Sequence, residues 1–282
     1  MRERKLDMNR SAMFRWLRRY APKISKRIHQ YLRMSGASFQ VVNRDNDIQP
    51  LPHRDYIGPA EHYELLSARH FMLLFLLGMR ERHNVLDFGC GSLRSGRLVM
   101  TYLGKGRYCG IDPNRWLIEA AIKHEIGHSL IKIKKPRFAF NSDGRMTAFG
   151  ISFDFIHAHS VLTHAPPQLV RTFFDQAGKV LTRNGLVLAT FFRGEVNYEG
   201  AEWVYPDLVT YRLETMQQWA AEAALQFRPI RWPHRNQTYF VAARREVDLG
   251  TILDDSSRDY GIRLLGFSQE QSSEEGRVPQ PS

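Results

Sequence analysis

Between residues 62 and 243 the spacing of apolar positions switches repeatedly between a helical and a strand period. Residues 62–79 repeat at helical intervals and predict a helix, and 84–88 is a short apolar run that predicts a buried strand. The same reading predicts a helix over 93–102, a strand over 108–111, a helix from Pro113 to about Glu125, and strands over 137–140 and 153–158. Residues 168–181 read as a helix, and Asn184-Gly185 as a turn feeding a strand over 186–192. A helix over 213–225 carries Met216, Trp219, Ala220 and Ala223 on one face, and strands over 227–232 and 239–243 close the series. Strands that alternate with helices predict a mostly parallel sheet covered by helices, because parallel neighbours are joined by crossovers that pack back on the sheet.

Composition then limits the class. A chain of 282 residues with 43% hydrophobic and 12% aromatic content suits one large domain with extensions, or two small ones. The longest apolar run, 71–79, is broken by Gly78 and falls short of the ~20 residues of a spanning helix. No secretory signal is expected, and two cysteines, Cys90 and Cys109, are too few for a disulfide framework. The expectation is a cytoplasmic protein in a reducing compartment.

The net charge of +11 is unevenly placed: residues 1–33 hold eleven Lys/Arg against two acids, or +9, which leaves +2 for the rest. We read 1–52 as a basic arm and linker, 53–245 as the folded domain, and 246–282 as an extension with the composition of a disordered tail from about 268. In the arm Phe14, Leu17, Ala21, Ile24, Ile28 and Leu32 recur at helical spacing, with Arg15, Arg18, Arg19, Lys26 and Arg27 on other faces. This pattern suits an anionic membrane surface, which would place the protein at the membrane periphery. A nucleic-acid arm, or a helix packed on the domain, are the alternatives.

The strongest chemical signal is Val85-Leu86-Asp87-Phe88-Gly89-Cys90-Gly91-Ser92. A buried strand runs into glycines and then a helix, and ligands of open α/β sheets bind at such strand ends. A dinucleotide loop needs a third glycine where Arg94 stands, and it does not need an acid at Asp87. That carboxylate suits a cationic ligand, such as the sulfonium and ammonium of S-adenosylmethionine, better than a pyrophosphate. The second strand ends at Asp112, 21 residues after Gly91, where an acid can accept both ribose hydroxyl protons.

The stretches VLDFGCGSLRSGRL, RYCGIDPN, FDFIHAHSVLTH and GLVLATFF resemble the class I S-adenosylmethionine-dependent methyltransferases, over about residues 58–245. The resemblance is closer to bacterial members that modify polysaccharides, glycolipids and small molecules. It implies a Rossmann-like seven-stranded, mostly parallel sheet with helices on both faces, in the order 3-2-1-4-5-7-6 with the last strand antiparallel. One departure is Leu93, which replaces the third glycine of the family's loop. The implied cofactor is S-adenosyl-L-methionine, with Asp87, Gly89 and Gly91 at its methionine and ribose and Asp112 on the ribose. Asn114 would flank adenine, Asp143 would reach the adenine amino group, and Ser160 would border the methyl donor.

His157, His159 and His164 cluster after the fourth strand, where acceptors of this family sit. Methyl transfer to oxygen uses a base, and imidazole titrates near neutrality, so His164 and His159 are the catalytic candidates. No acid or cysteine is spaced with them as a metal site requires. Ser160 lacks the G-x-S-x-G elbow of a hydrolase, and Ala165-Pro166-Pro167-Gln168 departs from the motif of amino-group nucleic-acid methyltransferases. Residues 193–211, with Tyr198, Trp203, Tyr205 and Tyr211, are long for a loop and read as a lid. The expected activity is methyl transfer to oxygen of a small-molecule, sugar-linked or lipid-linked acceptor. An RNA methyltransferase steered by the arm, or a non-catalytic cofactor-binding protein, are the alternatives.

Overall fold

The computed structural model describes residues 52–58, 60–234 and 236–260, of which 255–260 by backbone only. The basic arm and the tail from about 268 lie outside the described residues. The described chain opens with the short helix α1 (Pro52–Tyr56), a single 3-10 turn and the long helix α2 (Tyr63–Leu76). Then follow β1 (Val85–Phe88), α3 (Gly96–Tyr102), β2 (Tyr108–Ile111), α4 (Arg115–Ala121), α5 (His128–Lys134), β3 (Arg137–Ala139) and β4 (Phe153–Ala158). The second half holds α6 (Pro167–Val180), β5 (Leu181–Arg193), β6 (Thr210–Tyr211), α7 (Leu213–Glu222), β7 (Leu225–Ile230), β8 (Thr238–Arg244) and α8 (Leu249–Tyr260).

The strands form one mixed sheet in the order β3-β2-β1-β4-β5-β8-β7, with the two-residue β6 beside the end of β5. β8 runs antiparallel to both β5 and β7, and the other main pairings are parallel. With β6 set aside, this is the sheet order that the sequence resemblance implies. The chain reverses its direction of travel between β2–β1 and β4, so a crevice opens at the carboxyl end of β1, and ligands of open α/β sheets bind at such a switch point.

Alternation along the strands sends side chains to two core layers. Leu86, Phe88, Ile111, Ile156, Val187, Ala189, Phe191 and Phe240 face one side, where Val170, Phe173, Phe174 and Ala177 of α6 and Met216 and Trp219 of α7 cover them. Val85, Tyr108, Phe155, Leu186, Leu188, Tyr239 and Val241 face the other, against Leu73, Leu74, Val99, Ile118 and Ala121 of α2, α3 and α4. Each fully buried Phe or Leu in these layers contributes ~1.5–3 kcal/mol relative to exposure. The second layer also takes Leu249 and Leu253 of α8, which belongs to the segment read as the extension.

Most differences from the sequence reading lie at element ends, where apolar periodicity is blind. α3 begins at Gly96 rather than Leu93, because Leu93 has φ +56 and cannot continue a helix. β5 pairs Leu181 with Phe153 and then Leu186 with Phe155, so Asn184-Gly185 sits in a bulge inside the strand. The helix expected up to Glu125 changes at Ala121 into a π-helical turn, Ile122–Ile126, closed by Gly127.

Candidate functional site

β1 ends on Asp87 and Phe88, and the chain then turns through Gly89 at φ +71 and Gly91 at φ +49. A Cβ on Gly89 would lie 2.4 Å from Cγ2 of Val161, so only glycine lets the loop pass under the end of β4. Leu93 takes φ +56 at the position where the family's loop has its third glycine. The left-handed backbone is therefore kept, at ~1–2 kcal/mol of strain, and Leu93 recovers contact by full burial.

The loop's carbonyls are capped from α2, as Tyr63 Oη donates to Ser92 O at 2.9 Å and Ser67 Oγ to Arg94 O at 2.5 Å. Its amides are capped from β2: Gly89 and Cys90 donate to Ile111 O at 2.8 and 3.0 Å. Asp112, 7% exposed, accepts from Gly91 N–H at 2.9 Å on Oδ2 and from Asn114 N–H at 2.8 Å on Oδ1. Burial raises its pKa, and those amide bonds oppose the rise. Asp87 is also raised by burial, against the opposing pull of His157, 3.5 Å away, and of Tyr108 Oη, which donates to it at 2.7 Å.

These groups line a cavity of about 800 Å³ at the carboxyl ends of the strands. All nine residues singled out in the sequence border it: Asp87, Gly89, Gly91, Asp112, Asn114, Asp143, His159, Ser160 and His164. They are not equivalent. Asp143 stands at the exposed rim, where its carboxylate already accepts the Arg145 N–H at 3.1 Å. Ser160, at φ +61, hydrogen-bonds Gln237 through its hydroxyl at 3.0 Å.

The two histidines differ in what their ring nitrogens can do. His159 Nδ1 accepts from the Arg94 guanidinium at 3.4 Å, which puts its proton on Nε2, 3.2 Å from Tyr239 Oη. Both nitrogens are engaged, and the ring stacks on His70 at 4.5 Å between centroids. Burial, with neighbouring His70 and Arg94, pushes its pKa well below the ordinary imidazole value. His164 instead directs Nδ1 at two carbonyls, Val204 O and Asp207 O, both at 2.9 Å. Carbonyls only accept, so Nδ1 carries the proton and Nε2 keeps the basic lone pair. Burial lowers the pKa of His164, and the two carbonyls hold back that fall.

The segment read as a lid is docked by the same residues: Val204 N–H donates to His164 O and Val209 N–H to Thr163 O, both at 2.9 Å. Trp203 and Tyr205 from this segment join the cavity wall and pack their rings on His164 at 5.6 and 5.0 Å. Opposite them Tyr56 from α1 meets Tyr205 at 5.4 Å and Trp116 at 5.2 Å. α1 is held there by Glu125, which takes both Arg54 and His53. Tyr56, Ile57 and Arg94 were not singled out in the sequence. The first two precede the readable periodicity, and Arg94 stood out only as the residue in place of a glycine. Among the described residues no group of three His, Cys, Asp or Glu side chains could hold a metal ion.

A Rossmann-like sheet with a left-handed glycine loop after β1 and an acid after β2 is the architecture of class I methyltransferases. Residues 86–187 match the family model described as a methyltransferase domain. The fold is similar to that of magnesium protoporphyrin IX methyltransferase from Synechocystis PCC 6803, solved with bound SAM, with a TM-score of 0.52 and 13% identity over 71% of this chain and 86% of that one. It is similar to a TehB-like SAM-dependent methyltransferase from Corynebacterium glutamicum, with a TM-score of 0.50 and 15% identity over 70% and 100% of the two chains. A glycopeptide N-methyltransferase solved with (S)-adenosyl-L-methionine gives 0.50 at 8% identity over 63% and 94%. Residues 86–187 thus carry a methyltransferase domain, on the fold that these S-adenosylmethionine-dependent enzymes share.

Proposed function

We propose that the chain transfers a methyl group from S-adenosylmethionine to an oxygen of a small-molecule, sugar-linked or lipid-linked acceptor, with residues 53–245 as its catalytic body. The observation that carries this reading is His164, on the cavity wall with Nδ1 committed to two carbonyls and Nε2 left basic. The donor fits the crevice: Gly89 and Gly91 open the backbone to it, and Asp87 and Asp112 favour its cationic centres and ribose hydroxyls. In this reading Asn114 and the rim residue Asp143 would take the adenine, and Ser160 would border the methyl group.

When bound, S-adenosylmethionine supplies an electrophilic methyl on a sulfonium, so the protein's task is orientation and removal of a proton. His164 Nε2 takes the proton of the acceptor hydroxyl, and the resulting imidazolium is stabilised by the carbonyls at Nδ1. His159, with both nitrogens engaged, serves to orient. Trp203 and Tyr205 close the acceptor side against water. The porphyrin and glycopeptide methyltransferases of this fold support an acceptor of modest size.

Incubation of the protein with labelled S-adenosylmethionine and fractionated cell extract tests the reading. Label is expected in a small-molecule or lipid fraction. Label confined to RNA, or no transfer into any fraction, overturns it.

Among the described residues no helix is long and apolar enough to cross a membrane. We assign the membrane contact to residues 1–33, whose +9 charge lets each basic side chain add on the order of 1 kcal/mol at an anionic surface. Salt-sensitive sedimentation with anionic vesicles should vanish on deletion of 1–33, with S-adenosylhomocysteine binding kept. Equal binding to neutral vesicles, or retention after the deletion, defeats this assignment.

A further inference from the structure

Among the described residues Arg94 is the one Arg or Lys side chain that borders the cavity, and no carboxylate pairs with it. It follows the glycine loop, is 8% exposed and borders the cavity. Its guanidinium has five N–H donors, yet its polar contacts are two long ones: Ile57 O and His159 Nδ1, both at 3.4 Å. It forms no ion pair with a carboxylate among the described residues, and Asp87 acts on it only through space. Burial lowers its pKa from the ordinary guanidinium value. The other arginines near the site differ, since Arg54 and Arg97 both pair with Glu64 and Glu125.

A buried cation without a counter-ion is costly to a fold, and such a group at a cavity wall is compensated when a ligand brings the opposite charge. A planar fork of donors matches a carboxylate, which can accept two parallel hydrogen bonds. Asp87 and Asp112 border the same cavity, so its charges are arranged as acid and base. A ligand that carries a carboxylate beside a cationic centre answers both.

We propose that Arg94 is an anchor for a ligand carboxylate in this cavity. The inference rests on the methyltransferase reading for the nature of the cavity's ligands, and two of them can bring the group: the amino-acid end of the donor, or the acceptor.

Calorimetry with S-adenosylhomocysteine and with 5′-methylthioadenosine, which lacks the amino-acid end, separates these sources in the wild type and in Arg94→Met. If the donor brings the carboxylate, Arg94→Met weakens S-adenosylhomocysteine about 10- to 100-fold and leaves 5′-methylthioadenosine unchanged. If the acceptor brings it, both nucleosides bind as before. Benzoate then raises the unfolding temperature of the S-adenosylhomocysteine-saturated wild type, but not of Arg94→Met, and benzamide raises neither. Either pattern supports the anchor. It is overturned if both nucleosides bind unchanged and benzoate acts no differently from benzamide. It is also overturned if Arg94→Met weakens both nucleosides equally, or unfolds at a clearly lower temperature without ligand, since a structural strut behaves in that way. Arg94→Lys keeps the charge and loses the fork, so it should give a smaller loss, confined to the carboxylate-bearing probe. An equal loss for both nucleosides in that variant counts against the anchor. A wild type that binds neither nucleoside defeats the methyltransferase reading instead, and the benzoate arm without nucleoside still decides the role of Arg94.

Discussion

Replacement of His164 by alanine is expected to lower turnover about 10²–10⁴-fold while leaving the affinity for S-adenosylhomocysteine unchanged. The imidazole borders the cavity beside Trp203 and Tyr205, where its loss would remove a proton acceptor from the acceptor side. The folded pKa lies below the ordinary imidazole value because burial disfavours the charged ring. A general base works in its neutral form, so activity should hold as pH falls through the ordinary imidazole range and decline only below it. His164→Gln is the informative companion. Its amide N–H can still reach the Val204 and Asp207 carbonyls and hold the lid segment, but it offers no basic nitrogen. Single-turnover rates against pH check the prediction: both variants should lose the acid limb. Full turnover in His164→Gln would make His164 a strut for the 193–211 segment.

Asp112→Ala is expected to cost ~1.5–3 kcal/mol of S-adenosylhomocysteine binding, the range for lost charge-assisted hydrogen bonds. Each carboxylate oxygen has two lone-pair sites, and the fold uses one on each: Gly91 N–H on Oδ2 and Asn114 N–H on Oδ1. The Asn114 side chain also hydrogen-bonds this carboxylate, and the lone-pair capacity left over is what the ribose hydroxyls would use. Burial raises this carboxyl above the usual aspartate value, so wild-type affinity should begin to fall at a higher pH than for an exposed aspartate as the group protonates. Calorimetry from neutral to acid pH, with thermal unfolding of the variant as a control for the two lost backbone caps, measures both effects. Unchanged affinity in a folded Asp112→Ala protein would remove the ribose role.

The central strands were legible because their patterns are short, apolar and bounded. β2 and β4 fall on their expected residues: β2 is buried throughout, and β4 keeps Phe153, Phe155, Ile156 and Ala158 buried around Asp154 and His157. The family resemblance supplied the strand order, which no local pattern contains. α1, α5, β6 and α8 were not expected, for a common reason. They are short, or like α8 they bury only a narrow stripe such as Leu249 and Leu253, and their place is set by what they dock on.

At the site, chain order alone identified an acid, two glycines and a second acid at strand ends, because backbone conformation and strand period are local properties. Sequence put His164 ahead of His159 but offered no contact that separates them. Both follow β4, and the difference lies in partners far along the chain: Arg94 and Tyr239 for one, Val204 and Asp207 for the other. The same holds for Arg94. Its residue type is visible at once, but whether a guanidinium is solvated, paired or buried alone depends on which side chains arrive around it. Sequence by itself therefore determined the class of fold and the types of chemical group available. Tertiary structure decided their tautomers, their pKa shifts and which guanidinium at the cavity goes without a paired carboxylate, because each of those is set by desolvation and by neighbours that chain distance does not encode.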